Sequence, residues 1–175
     1  PEIKNNPVLL EAWKDEEYIK KSEIFGAIFV MVFGTFNALF FMIGPEESVV
    51  ALFAPYNEST WEHLKLLFFP VLIYSVFQYA YIGKQYSGYL TGRLAGIVSG
   101  ALMIVIIFYT YMAVFKHSIL WIDVTLFYLS VIVCYRIAYS ITLQEIPRAA
   151  EILSGICLIG IMLLFFCISG SWVNF

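Results

Sequence analysis

Apolar residues in this chain fall into long runs separated by short polar breaks, and the breaks set the elements. The first run spans about 23–44 and ends at Pro45-Glu46-Glu47. The second spans about 60–82, the third about 94–115, the fourth about 120–142 and the fifth about 151–170. Each is about as long as the roughly 20 residues a helix needs to cross the hydrocarbon core. Lys84–Arg93 reads as a polar connection rich in Gly and Tyr, Lys116-His117-Ser118 as a tight one, and Gln144–Arg148 as the last loop. Residues 48–55 are apolar but too short to span, which suits an interfacial or re-entrant segment. Ahead of the first run, Leu9, Leu10, Trp13 and Tyr18 lie among charged residues and predict a short N-terminal amphipathic helix. The expected fold is therefore all-α: a polytopic bundle of five transmembrane helices plus that N-terminal element, in a single integral membrane domain over 1–175.

Composition agrees. Of 175 residues, 61% are hydrophobic and only 13% charged, against about 25% charged in soluble domains. A net charge of -3 without a basic patch argues against nucleic acid as a partner. Cys134, Cys157 and Cys167 all sit in apolar runs without CxxC spacing, so neither a disulfide framework nor a thiolate metal site is expected. No cleavable signal peptide is expected, because the first twenty residues are polar and acidic.

Lys and Arg positions set an orientation. With the N-terminus inside, the inner side collects Lys4, Lys14, Lys20, Lys21, Lys84, Arg93, Arg136 and Arg148, leaving Lys65 and Lys116 outside. This predicts N-in, C-out in a cytoplasmic membrane. Tyr109, Tyr111, Trp121 and Trp172 then fit an outer aromatic belt, Trp61 an interfacial anchor and Tyr128 the core. Gly88, Gly92, Gly96 and Gly100 form a ladder of small residues that lets two helices approach closely. Pro70 predicts a kink in the second span.

The densest polar chemistry lies at Asn57-Glu58-Ser59-Thr60-Trp61-Glu62-His63-Leu64-Lys65, directly against an apolar run. Ser59-x-x-Glu62 has capping-box form, which starts a helix at Thr60. In the predicted topology Glu58, Glu62, His63, Lys65, His117 and Asp123 share one membrane depth at the outer end. Asp123 lies near the start of its span and needs a partner. Glu62 and Lys65, three apart, are placed to pair. The leading expectation is a binding or transport-related component whose outer pocket uses Asn57, Glu58, Glu62, His63, Lys65 and Asp123. Transport by so small a chain would call for a homo-oligomer or a larger membrane complex.

A second reading is a metal-dependent membrane hydrolase for lipid-like substrates. Glu58, His63, His117 and Asp123 would hold zinc or manganese, with Glu62 as base and His63 beside it. A third is an accessory subunit in which Lys65 snorkels to the interface and the carboxylates pair locally.

The stretch Asn57-Glu58-Ser59-x-Trp61-Glu62-His63-Leu64-Lys65-Leu66, with Phe108-Tyr109-Thr110-Tyr111 and Asp123, resembles the signature of a family of uncharacterised bacterial membrane proteins, mainly Gram-positive. The likeness extends over most of Glu23–Ile168. It implies a multi-span protein of the bacterial membrane and no particular reaction. In that family a histidine often stands where this chain has Asn37.

Overall fold

The computed structural model describes the backbone of residues 7–43 and 60–172, with side chains over 15–38, 61 and 64–168. The chain over those residues is almost wholly helical: α1 (Pro7–Ile43), α2 (Thr60–Tyr81), α3 (Tyr89–Phe115), α4 (Leu120–Thr142) and α5 (Arg148–Trp172), with one 3-10 turn at Gly83–Gln85. Among the described residues, four segments are long and apolar enough to cross a membrane: Leu64–Tyr81, Tyr89–Phe115, Leu120–Thr142 and Arg148–Ile168. The helix α1 is the additional N-terminal element.

Three boundaries differ from expectation. The polar segment up to Lys21 is not a separate helix but the first turns of α1, which runs unbroken for 37 residues. Nothing between Asp15 and Ile24 breaks a helix; the sequence changes polarity there, and polarity alone does not stop one. Second, α3 begins at Tyr89, so Arg93 lies one turn inside the helix and not in a loop. Third, α5 begins at Arg148 rather than near 151. By contrast, α4 has the expected ends, and α2 starts at Thr60 and continues through Pro70. The segment 48–55 and the Ser59 cap lie outside the described residues.

Helix ends are closed by specific groups. At the C-terminus of α3, Lys116 adopts φ 63° and its N–H bonds the Met112 carbonyl at 2.9 Å, a left-handed cap. At the other end of α3, the carboxylate of Glu151 from α5 accepts from the Leu90 N–H at 2.6 Å and the Thr91 N–H at 3.0 Å. One side chain thus satisfies two orphan amides of a neighbouring helix and sets the register between α3 and α5.

α3 and α4 pack most intimately, and the glycine ladder is the reason. A Cβ at Gly92 would come within 2.7 Å of the Ala138 carbonyl oxygen, and one at Gly100 within 3.0 Å of that of Ser130. Gly96 faces the Cys134 carbonyl and the Ala138 Cβ. The opposing face, Ser130, Cys134, Ala138 and Thr142, is itself small at every fourth position, and all four are buried. Two backbones therefore meet with almost no side chain between them.

α1 packs on α2 and α4, and α5 packs on α3. Leu66, Leu67, Phe68, Phe69 and Val71 of α2 are buried, so α2 carries much of the core. Trp61, Phe68 and Phe69 gather round Phe165 of α5, with ring centroids 4.6, 5.0 and 5.8 Å away. Trp61 is thus half-buried and packs against this aromatic cluster. Outward-facing Phe25, Val32, Phe36, Val76, Ile106, Val114, Leu153 and Ile156 are mostly exposed. A continuous apolar exterior of this kind matches lipid as the surrounding solvent.

Gly96→Ala should lower the free energy of unfolding in mixed micelles by about 1–3 kcal/mol, because backbone and not a flexible side chain lies opposite. Gly160→Ala, where a Cβ meets nothing within 4 Å, should change it by no more than about 0.5 kcal/mol. Equal effects would contradict the α3–α4 packing.

Candidate functional site

The bundle has a polar site towards each end, and the two sites are built differently. Arg93 and Tyr111 mark them along α3, eighteen residues or about 27 Å apart.

At the Arg93 end the guanidinium is fully buried, at 0% exposure. Its Nη2 donates to Glu23 Oε1 of α1 and to Gln78 Oε1 of α2. Gln78 closes the triangle, its Nε2 donating to Glu23 Oε1 at 3.0 Å and to Ser22 Oγ at 2.9 Å. Tyr89, one turn before Arg93, donates to Gln78 Oε1 at 2.9 Å and to the Ser75 carbonyl at 3.0 Å. Tyr74 extends the chain by donating to the Ser22 carbonyl at 2.7 Å. The guanidinium carbon lies 5.0 Å from the ring centroids of both Tyr89 and Tyr135, so aromatic faces hold the cation above and beside its ion pair. Four helices contribute. Among the described residues, Glu23 Oε2, Arg93 Nε and Nη1, and the Tyr135 hydroxyl are buried without a partner.

Tyr86, in the turn between α2 and α3, donates to the Asp15 carbonyl at 3.1 Å and ties the first turns of α1 to this end. Partial burial, then the negative charges of Asp15 and Glu16, push its hydroxyl above the ordinary tyrosine range.

At the other end, the Tyr111 hydroxyl donates to Asp123 Oδ1. Tyr111 is only 7% exposed, so it is the partner of Asp123 and not a belt residue; Tyr109 and Trp121 remain outward, Trp121 at 80%. Asp123 borders a cavity of about 120 Å³. Gly34, Thr35 and Ala38 of α1, Leu66 of α2 and Ile104 and Phe108 of α3 form its walls. Thr35 is turned away from it in part, bonding the Met31 carbonyl and sharing a 3.0 Å hydrogen bond with Tyr128.

The expected site residues separate as follows. Asp123 is placed on the cavity. Lys65, next to the cavity-lining Leu66, is 0% exposed, which overturns the snorkelling reading: its ammonium reaches neither water nor lipid. His117 sits on an exposed loop with Nδ1 2.8 Å from the Phe115 carbonyl oxygen, and no hydrogen bond or ion pair joins it to Asp123. Glu62 and His63 lie in the first turn of α2, but their side chains, like Asn57 and Glu58 altogether, fall outside the described residues. Among the described residues no three His, Cys, Asp or Glu side chains group as metal ligands. Cys134 is buried, while Cys157 and Cys167 are exposed; all three are free thiols.

The Glu23–Gln78–Arg93 cluster lies outside the expected site residues. Its signal was present in the polar Gln78 within an apolar run, and in Arg93 set between Gly92 and Gly96 of the ladder. Such a residue shares a close-packed helix face and is improbable as a loop cation.

The chain belongs to a family of unknown function, DUF6512, whose profile matches residues 12–171. No curated protein and no solved structure matches it.

Gln78→Leu keeps the volume of the side chain but removes the group that joins Glu23, Arg93 and Tyr89. It should cost about 1–3 kcal/mol of stability in mixed micelles. Gln144→Leu, at an exposed helix end, should stay within about 0.5 kcal/mol.

Proposed function

We propose that this is a five-span protein of a bacterial cytoplasmic membrane, N-terminus inside and C-terminus outside, that binds a small ligand or ion at the outer end of its bundle. Residues 23–43 of α1 form the fifth span: about 21 residues at 1.5 Å each cover about 30 Å. Burial of Arg93 and Lys65 strengthens the orientation. Neither is a loop cation, and without them seven Lys and Arg stand on the inner side against Lys116 alone on the outer.

The single observation that carries the site is Asp123, fixed by Tyr111 at the edge of the 120 Å³ cavity. A space of that size takes an ion with a few waters, or a ligand of a few heavy atoms; it is too small for a lipid. Its walls are apolar apart from Asp123 and Thr35, which favours an occupant bearing one positive or hydrogen-bond-donating group. Leu66 of α2 lines the cavity, and Lys65 precedes it in the chain. Asn57, Glu58, Glu62 and His63 are the further groups proposed to contact the ligand from that side, with Lys65 balancing their carboxylates. A transport role would join this site to a second copy or to a larger membrane partner.

The test is a thermal-shift series on the purified protein with sodium, potassium, manganese, zinc and small alkylammonium ions. At about 100 times its Kd, one of these should raise Tm by about 5–10 °C. Asp123→Asn should abolish the rise while helicity is retained, and Glu62→Gln or His63→Ala should weaken it. A rise that survives Asp123→Asn, or no rise with any of the ions, would overturn the site.

A further inference from the structure

At the opposite end from Asp123, α1 and α4 leave between them a groove of about 690 Å³ that opens sideways. Lys20 and Arg136, both exposed, and Glu23 and Tyr135, both buried, line its polar part, with Tyr139 and Ser140 nearer the end of α4. Further along, the lining becomes apolar through Ile28 and Ile132. From Lys20 to Met31, the last lining residue of α1, the helix rises about 16 Å, about half the thickness of a bilayer core.

The polar groups carry specific vacancies. Glu23 gives Oε1 to Arg93 and Gln78, and its Oε2 has no partner among the described residues. The Tyr135 hydroxyl is likewise buried without a partner. A buried carboxylate oxygen asks for a donor, and a tyrosine hydroxyl can donate to an anionic oxygen. Two cations along the polar part, an acceptor beside them and an apolar stretch of about 10 Å from Ile24 to Met31 therefore describe one occupant. It has a phosphate, a hydrogen-bond-donating ammonium close to it, and an acyl chain.

We propose that the α1–α4 groove is a binding site for a phospholipid with a primary ammonium headgroup. Its phosphate lies between Lys20, Arg136 and the Tyr135 hydroxyl, its ammonium meets Glu23 Oε2, and one acyl chain follows Ile28 and Ile132. The site is separate from the Asp123 cavity and stands or falls independently of it. Lipid in the groove would complete the hydrogen bonding of the buried cluster from its membrane side, so occupancy would couple to the packing of α1 against α4.

Native mass spectrometry of the full chain, released from detergent after incubation with defined lipid, reads this directly. Phosphatidylethanolamine should be retained at one molecule per chain. Phosphatidylcholine, whose trimethylated nitrogen has no N–H to donate, should be retained at least fivefold less. The double variant Lys20→Gln/Arg136→Gln should lose at least fivefold of the phosphatidylethanolamine retention, and Tyr135→Phe should lower it while remaining folded. Lys84→Gln, exposed at the same end but outside the groove, should leave it unchanged. Equal retention of the two lipids would overturn the proposal. So would a Lys20→Gln/Arg136→Gln double variant no different from Lys84→Gln, because the lipid would then be general boundary lipid.

Discussion

A guanidinium with no exposure inside an apolar helix bundle constrains everything around it. Arg93 keeps its charge under any accessible condition, so the fold has to supply an anion, hydrogen-bond acceptors and polarizable surface at that point. It does so from four directions: Glu23 of α1, Gln78 of α2, the Tyr89 ring one turn back on α3 and the Tyr135 ring of α4. Lipid tails are as apolar as leucine, so the hydrophobic effect alone gives membrane helices little reason to choose one neighbour over another. A buried ion pair with a glutamine bridge does give such a reason. It fixes which helices meet, at what height and in what rotation, because the cost of misplacing any one partner is an unanswered charge.

The glycine ladder makes this arrangement geometrically available. Close approach of α3 and α4 brings Tyr135 of α4 over the cation, and leaves no room for a side chain between Gly96 and Cys134. Glu151 then closes the amides that begin α3, two to three residues before Arg93. One end of the bundle is therefore heavily cross-linked by polar contacts. Among the described residues, the Asp123 end shows the Tyr111–Asp123 bond and borders the 120 Å³ cavity.

Much of this architecture was legible in the order of residues. Lys116-His117-Ser118 and the Gln144–Arg148 break bracket α4 at the ends it adopts, because apolar runs of this length are interrupted only where helices leave the membrane. The ladder of Gly88, Gly92, Gly96 and Gly100 identified a close helix contact, although its partner face required the fold. Misplacement of Arg93 has a definite cause. Charge, glycine and tyrosine in Lys84–Arg93 together resemble a loop, whereas the glycines there are the start of a packing face. Tyr111 shows a related ambiguity: an aromatic near a helix end suits an interface equally well as a core, and the Asp123 contact decides. The expected binding site is a different case. Its Asp123 and Lys65 are placed, while Asn57, Glu58, Glu62 and His63 stand on the sequence alone.

Glu23 and Arg93 hold the bundle together as a pair and not as two separate residues. A double-mutant cycle on unfolding free energy in mixed micelles, using Glu23→Gln, Arg93→Met and both together, measures that directly. The expected coupling is about 2–3 kcal/mol, the double variant being far less damaged than the sum of the singles, since each single leaves a buried charge unanswered. Additive losses, with coupling below about 0.5 kcal/mol, would mean that the two charges do not depend on each other and that packing alone holds the helices in place.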